Sequence, residues 1–263
     1  MSATLIDGKK LSALIREEIK LDASEFERKY GRKIGLAVIL AGENPASKIY
    51  VRNKIVACEE TGIKSFEYYL PESVTTEQLL ELVETINSDE NIDGLLVQLP
   101  LPKGVDEKTV LKAVSPAKDV DGFHAVNAGN LLLGNPCLAA CTPSGIISLI
   151  KSTGVEINGK NAVVVGRSNI VGKPVAVLLL NENATVTVCH SKTADLKKHT
   201  LEADILVVAV GIKEFIKGDM IKKGAVVIDV GMNRADGKLY GDVEFDSAKE
   251  RASFITPVPV SYT

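Results

Sequence analysis

The second half of the chain carries four short apolar runs: NAVVVG from Asn161, ATVTVCH from Ala184, ADILVVAVG from Ala203 and GAVVIDVG from Gly224. A strand with one face in water alternates apolar and polar residues, whereas these runs are β-branched and close to continuously apolar. Such strands need cover on both faces, and helix-length segments separate them. The arrangement that supplies this cover is a parallel sheet with helices on either side, an α/β fold.

The first half repeats the alternation on a smaller scale. An amphipathic helix from Leu11 to Tyr30 precedes IGLAVIL, a helix holding Tyr50 and Lys54, KSFEYYL, a helix from Thr75 to Asn87, and DGLLVQL. After PLPKGVD and a short helix from Lys108 to Val114 comes PAKDVDGFHAVNAGNLLLGNPCLAACTPSG, which has no sustained period and is expected to be irregular. A structureless stretch of that length is more often functional than idle. Helices are then expected from Ser144 to Ser152, from Val171 to Leu180 and near Leu196. The expected division is a first domain over 1–142, a second over 143–258, and a remnant of a returning segment over 259–263.

With 263 residues, 45% hydrophobic and 25% charged, the chain can bury substantial cores. Its net charge of -3 gives no electrostatic footprint for nucleic acid. The amino terminus lacks the apolar core of a signal peptide and no run is long enough to span a bilayer, so neither nucleic acid nor membrane is an expected partner and a cytoplasmic location is expected. Cys58, Cys137, Cys141 and Cys189 show no Cys-x-x-Cys spacing, and His124, His190 and His199 do not cluster with them. Reduced thiols and no metal site are the expectation.

Two groupings carry chemistry. Ser47, Tyr50 and Lys54 are spaced three and four residues apart, so on a helix they project from one face and bring a hydroxyl, a phenol and an amine together. A solvated helical face with an extended lysine has the same spacing. Further on, NAVVV runs into Gly166, Arg167, Ser168 and then Gly172 before an apolar helix, a strand, turn and helix start that aims backbone N–H groups at a phosphate. The dinucleotide fingerprint is imperfect, since Ser168 takes the second glycine position and Gly172 falls one place late; a plain tight turn fits it too. At the end of the next strand His190, Ser191, Lys192 and Thr193 stand where an NAD enzyme places a carboxylate. Arg167 and Ser191 suit a 2′-phosphate, which favours NADP. Gly211 and Gly231 close the third and fourth strands, where ligands of open α/β sheets bind, or serve as ordinary turn glycines.

The Tyr-x-x-x-Lys pair is shared with short-chain dehydrogenases, but there the glycine-rich loop comes first. Here the order is reversed. SKIYVRNKIVACEETGI, DGLLVQLPLP, KDVDGFHAVNAGNL, CTPSG, VVVGRSNIVGKP, HSKT, VVAVG, VIDVGMNR, GDVEF and ITPVP occur in that order across nearly the whole chain. Together they resemble the bifunctional methylenetetrahydrofolate dehydrogenase and methenyltetrahydrofolate cyclohydrolase family of one-carbon metabolism.

The resemblance implies two α/β domains flanking a cleft, the second a Rossmann-type nucleotide-binding domain, and a homodimer formed through that domain. It implies oxidation of 5,10-methylenetetrahydrofolate with NADP, then hydrolysis to 10-formyltetrahydrofolate. Matched by motif, Lys54 is the catalytic lysine, Tyr50 orients the folate, Ser47 stands beside them, Gln98 hydrogen-bonds the lysine, and Asp121 holds the pterin. Leu99, Pro100 and Pro259 fall in the folate-binding motifs. Thr142, Ile170, Val171, Pro174, His190, Val210 and Met232 join Gly166, Arg167, Ser168, Gly172, Ser191, Gly211 and Gly231 in the expected cofactor set. The family continues TPVP with Gly-Gly-Val-Gly-Pro-Met-Thr and a terminal helix, where this sequence reads Pro259, Val260, Ser261, Tyr262, Thr263; Ala125 also replaces a usual proline. Two other readings remain beside it at this point: a shikimate dehydrogenase-like two-domain NADP enzyme, and a silent NADP- or folate-binding protein.

Overall fold

The computed structural model describes residues 2–258, so Pro259 and the 259–263 segment lie outside the described residues. In chain order the elements are β1 (Thr4–Leu5), α1 (Gly8–Tyr30), β2 (Gly35–Ala41), α2 (Pro45–Thr61), β3 (Lys64–Leu70), α3 (Thr76–Ser88), β4 (Gly94–Val97), α4 (Glu107–Ala113), α5 (Ala125–Leu133) and α6 (Cys141–Ser152). They continue with β5 (Asn161–Val165), α7 (Gly172–Asn181), β6 (Thr185–Cys189), α8 (Leu196–Glu202), β7 (Ile205–Val208), a 3-10 turn at Gly218–Met220, β8 (Val226–Asp229), β9 (Asn233–Ala235), β10 (Lys238–Tyr240), α9 (Phe245–Ala248) and β11 (Phe254–Ile255).

One compact unit takes in Ala13–Ala139. Its sheet has the order β3-β2-β4, all parallel. Alternate residues of β2 enter different cores, as the strand period requires. Ala37, Ile39 and Ala41 pack with Leu79, Val83 and Ile86 of α3, while Val38 and Leu40 pack with Val51 of α2. A capping box starts α3: the Thr75 hydroxyl accepts from the Gln78 N–H, and the Gln78 side chain accepts from the Thr75 N–H.

The other unit holds the six-stranded parallel sheet β1-β11-β8-β7-β5-β6. On one face Val164, Val207 and Ile228 pack against Ile146 and Ile150 of α6 and Val175 and Leu179 of α7. On the other, Val163, Leu206, Val208 and Val227 pack against Ile216, Ile221 and Ala248. This is the doubly covered sheet that the continuous apolar runs demand. The chain leaves β5 for β6 on one side and resumes at β7 on the other, so the order reverses beside β5. At such a reversal the loops at the carboxyl ends splay apart, leaving room for a ligand.

Three expectations need correction. The division is not at 142/143 alone: residues 2–12 belong with 140–258, because β1 pairs with β11 and Ile6 enters the core of the six-stranded unit. The stretch read as irregular contains α5, started by His124, whose Nδ1 accepts from the Val126 N–H, and stopped by Gly134 in the left-handed conformation. Finally, α6 begins at Cys141 rather than Ser144, its first turn including Thr142 and Pro143.

Leu206 is fully buried at the middle of the sheet, whereas Leu132 on α5 is 65% exposed. Leu206→Ala should lower stability by about 2–5 kcal/mol, and Leu132→Ala by no more than about 0.5 kcal/mol. Urea unfolding of the two variants checks this; equal losses would contradict the assigned core.

Candidate active site

Asn44 starts α2 through its side-chain oxygen, which accepts from the N–H groups of Ala46 and Ser47 at 3.0 and 3.1 Å. Gly62, at φ 80°, ends it. Between these caps the helix presents Ser47, Tyr50 and Lys54. Ser47 is buried, and its hydroxyl donates to the Leu99 carbonyl at 3.3 Å. The half-buried Lys54 donates from Nζ to Oε1 of Gln98 at 3.1 Å, and Gln98 in turn donates from Nε2 to the same Leu99 carbonyl at 2.9 Å. The Gln98 N–H is fixed to the Ile39 carbonyl, which carries the register of the sheet into the site. Leu99 and Pro100 are joined by a cis peptide bond. Tyr50 is half-buried on the same face. Structure therefore ties Ser47, Lys54, Gln98 and Leu99 into one network, held by a neutral amide rather than a carboxylate.

Asp121 sits in the charge field of Lys54, and among the described residues no hydrogen-bond donor reaches its carboxylate. Burial pushes its carboxyl up to about 6, against the pull of the Lys54 charge and with a further push from Asp119. Asp119, by contrast, is buried and satisfied: it accepts from the His124 N–H at 2.8 Å and from the Asn127 amide at 3.0 Å. Of the two aspartates in DVDG, one anchors the loop and α5, while the other is left with acceptor capacity to spend.

In the six-stranded unit Gly166 follows β5 at φ 130°, and a Cβ there would lie 2.2 Å from the Ala209 carbonyl oxygen. A Cβ on Gly172 would lie 2.4 Å from the Gly166 oxygen, so both glycines are demanded by close backbone approach. The Ser168 hydroxyl accepts from the N–H groups of Val171 and Gly172, each at 3.2 Å, at the start of α7. Serine in place of the second fingerprint glycine thus holds the helix amino terminus. Arg167 and Ile170 are exposed on this loop, and Pro174 lies in the first turn of α7.

The parallel register pairs Val165 with Cys189, so Arg167 and Ser191 follow the ends of neighbouring strands. The 190–193 segment is a built turn: the His190 N–H donates to Thr193 Oγ1 at 2.8 Å, and the Lys192 N–H donates to His190 Nδ1 at 3.1 Å. Ser191 is exposed, and among the described residues no carboxylate pairs with Arg167.

The sequence reading did not single out Asp229 and Asp242, both buried at the other strand ends. Asp229 accepts from the N–H groups of Gly231, Asp242 and Val243, each at 2.9 Å. Burial nevertheless raises its carboxyl to about 6, opposed by those three bonds and aided by the nearby Asp242. Asp242 accepts from the N–H groups of Val210, Gly211 and Ile212. An aspartate closing an otherwise apolar strand, as in VVID, was the available signal. Met232 is exposed beside buried Gly231.

The catalytic-domain profile of the tetrahydrofolate dehydrogenase/cyclohydrolase family matches residues 6–121, and the NAD(P)-binding-domain profile of the same family matches residues 140–262. The chain belongs to the tetrahydrofolate dehydrogenase/cyclohydrolase family. It is similar to the bifunctional protein FolD of Listeria innocua, 59% identical over 97% of this chain and 90% of that protein. Among solved structures it is similar to the bifunctional FolD methylenetetrahydrofolate dehydrogenase/cyclohydrolase of Campylobacter jejuni, at TM-score 0.95 and 48% identity over 99% of this chain and 93% of that one. It is also similar to the Trypanosoma brucei enzyme complexed with NADP and an inhibitor, at TM-score 0.93 and 41% identity over 100% and 92% of the two chains. Membership in the tetrahydrofolate dehydrogenase/cyclohydrolase family makes this chain an enzyme of the bifunctional type and closes the shikimate dehydrogenase-like reading.

The raised carboxyl of Asp121 fixes the sign of a pH effect. Its native value of about 6 exceeds the ordinary 3.8, so the folded state keeps a proton that the unfolded state releases, and stability falls as pH rises across that window. Asp121→Asn removes this loss. The variant should exceed the parent in stability at pH 7 by roughly 1–3 kcal/mol, with the gap closing below about pH 4. Thermal unfolding across pH 3.5–8 (approximately) measures it; a gap that does not change with pH would contradict the environment described for Asp121.

Proposed function

We propose that this chain oxidises 5,10-methylenetetrahydrofolate with NADP and hydrolyses the methenyl product to 10-formyltetrahydrofolate, with Lys54 moving the proton in the second step. The observation that supports this most is the Lys54–Gln98 hydrogen bond, 3.1 Å long, in the charge field of an Asp121 carboxylate that no donor reaches among the described residues. A pterin edge presents an amino group and a ring N–H side by side, and an unsatisfied carboxylate accepts both. Tyr50, Ser47, Leu99 and Pro100 complete the folate face of this reading, and Pro259, outside the described residues, is assigned to it by motif alone.

The residues of the six-stranded unit fit NADP. An exposed arginine with no carboxylate partner among the described residues, an exposed Ser191 and no acidic side chain over 190–193 make a donor set for a 2′-phosphate. Gly166, Ser168, Ile170, Val171, Gly172 and Pro174 would hold the pyrophosphate side, and Thr142, His190, Val210, Gly211, Gly231 and Met232 the remainder. Held by these residues, oxidised NADP would supply the acceptor for the hydride of the one-carbon bridge.

In the hydrolytic step water adds to the methenyl carbon, a proton leaves that water, and the bond from the carbon to one ring nitrogen breaks as that nitrogen is protonated. In this reading Lys54 takes and returns the proton. Gln98 orients the amine without adding the charge that a carboxylate in its place would bring.

The same reading includes a homodimer through the six-stranded unit and a cytoplasmic setting. Strand β6 is the outermost of its sheet, with Val188 39% exposed, which suits pairing with a second copy. Among the described residues no helix is long and apolar enough to cross a membrane, and no disulfide joins the four cysteines.

Lys54→Met should cut methenyl hydrolysis by about 10²–10⁴-fold while the variant still folds and binds NADP, as followed by cofactor fluorescence. Near-normal hydrolysis would remove Lys54 from the role. Arg167→Ala should raise KM for NADP by roughly tenfold or more, the worth of a charge-assisted phosphate contact, and leave KM for NAD little changed; equal effects on both cofactors would refute the 2′-phosphate assignment.

A further inference from the structure

We propose that Asp242 is a positioning residue for the dehydrogenase step, holding the loops after β7 and β8 in the form that receives the cofactor; this rests on the NADP reading above. Asp242 is fully buried, yet no cation neutralises it among the described residues. Four hydrogen bonds do so instead: the N–H groups of Val210, Gly211 and Ile212 at 2.6, 2.8 and 2.9 Å, and the Asn233 amide at 2.8 Å. Three consecutive N–H groups converging on one carboxylate fix the path of the loop that leaves β7. Asn233 opens β9, one residue beyond Met232, so the same carboxylate also ties down the loop that leaves β8.

A second carboxylate holds the first in place. Asp229 accepts from the backbone N–H of Asp242 and from those of Gly231 and Val243, while its own N–H donates to Thr256 Oγ1 at 2.8 Å. The packing leaves no slack. A Cβ on Gly231 would lie 2.2 Å from Asp242 Oδ1, and one on Gly241 would lie 1.7 Å from Asp229 Oδ2. The N–H groups of Val210, Gly211, Ile212 and Gly231 are therefore all committed to these two side chains. These loops cannot also cradle a phosphate with them, which leaves phosphate recognition to the 166–172 loop and to Arg167 and Ser191.

Three of the four donors to Asp242 lie in the loop after β7 and the fourth opens the short strand β9, whereas the cores of the unit are built from apolar side chains of the six-stranded sheet and its helices. Loss of its acceptors should loosen two loops before it unpacks the sheet. Asp242→Asn, which puts an N–H donor where an acceptor is needed, should raise KM for NADP at least tenfold and speed amide exchange at Val210–Ile212, with methenyl hydrolysis in the absence of NADP kept within twofold. Asn233→Ala, which removes one donor and leaves both carboxylates, is the milder companion if Asp242→Asn does not fold. It should raise KM for NADP two- to fivefold with the same faster exchange. Unchanged KM and exchange in the folded variants, or a parallel fall of both activities, would overturn the proposal. Failure of the NADP reading itself would show differently, as a parent enzyme that forms no methenyl product with NADP.

Discussion

A parallel sheet covered on both faces leaves a chain few places to do chemistry, because every residue pointing off the sheet is committed to packing and every strand's backbone is committed to its neighbours. At the centre of the six-stranded sheet this burial is complete: Ile205, Leu206, Val207 and Val208 of β7 are all fully buried. Polar function is forced to the carboxyl ends of β5, β6, β7 and β8, and those ends are where Gly166, Ser191, Gly211 and Gly231 fall. The three-stranded unit obeys the same rule, with Gln98 immediately following β4 and hydrogen-bonded to Lys54 of the helix that follows β2.

The two raised carboxyls show how burial alone does not decide a role. Among the described residues Asp229 has three N–H donors and Asp121 has none, yet desolvation lifts both to about 6. Asp229 uses its hydrogen-bonding capacity on the fold, locking loops that follow the sheet. Asp121 keeps its capacity unused and stands in the field of Lys54, the arrangement expected of a group whose donors arrive with a substrate.

Much of this was legible in the chain itself. Continuous β-branched runs disclosed the doubly covered sheet, and the spacing of Ser47, Tyr50 and Lys54 disclosed a shared helical face, since both signals are local and periodic. Long-range pairings were not legible. Two-residue β1 has no period to read, and its place beside β11 depends on a partner about 250 residues away. Helix α5 was hidden because His124 is an uncommon cap and the segment around it is rich in Gly, Asn and Pro. Asp242 gave no sign of its four donors, because three of them come from a loop some 30 residues earlier. That Ser47 turns inward to the Leu99 carbonyl, rather than standing free beside Lys54, likewise needed the fold.

The account makes one chain responsible for two consecutive reactions, with NADP as the oxidant. Mixing the purified protein with 5,10-methylenetetrahydrofolate and either NADP or NAD, and following methenyl absorbance over time, tests that claim directly. Methenyl absorbance should rise with NADP and then decay as the product is hydrolysed, and rise much more slowly with NAD. A methenyl signal that never forms with NADP, that forms faster with NAD, or that decays no faster than without enzyme would contradict it.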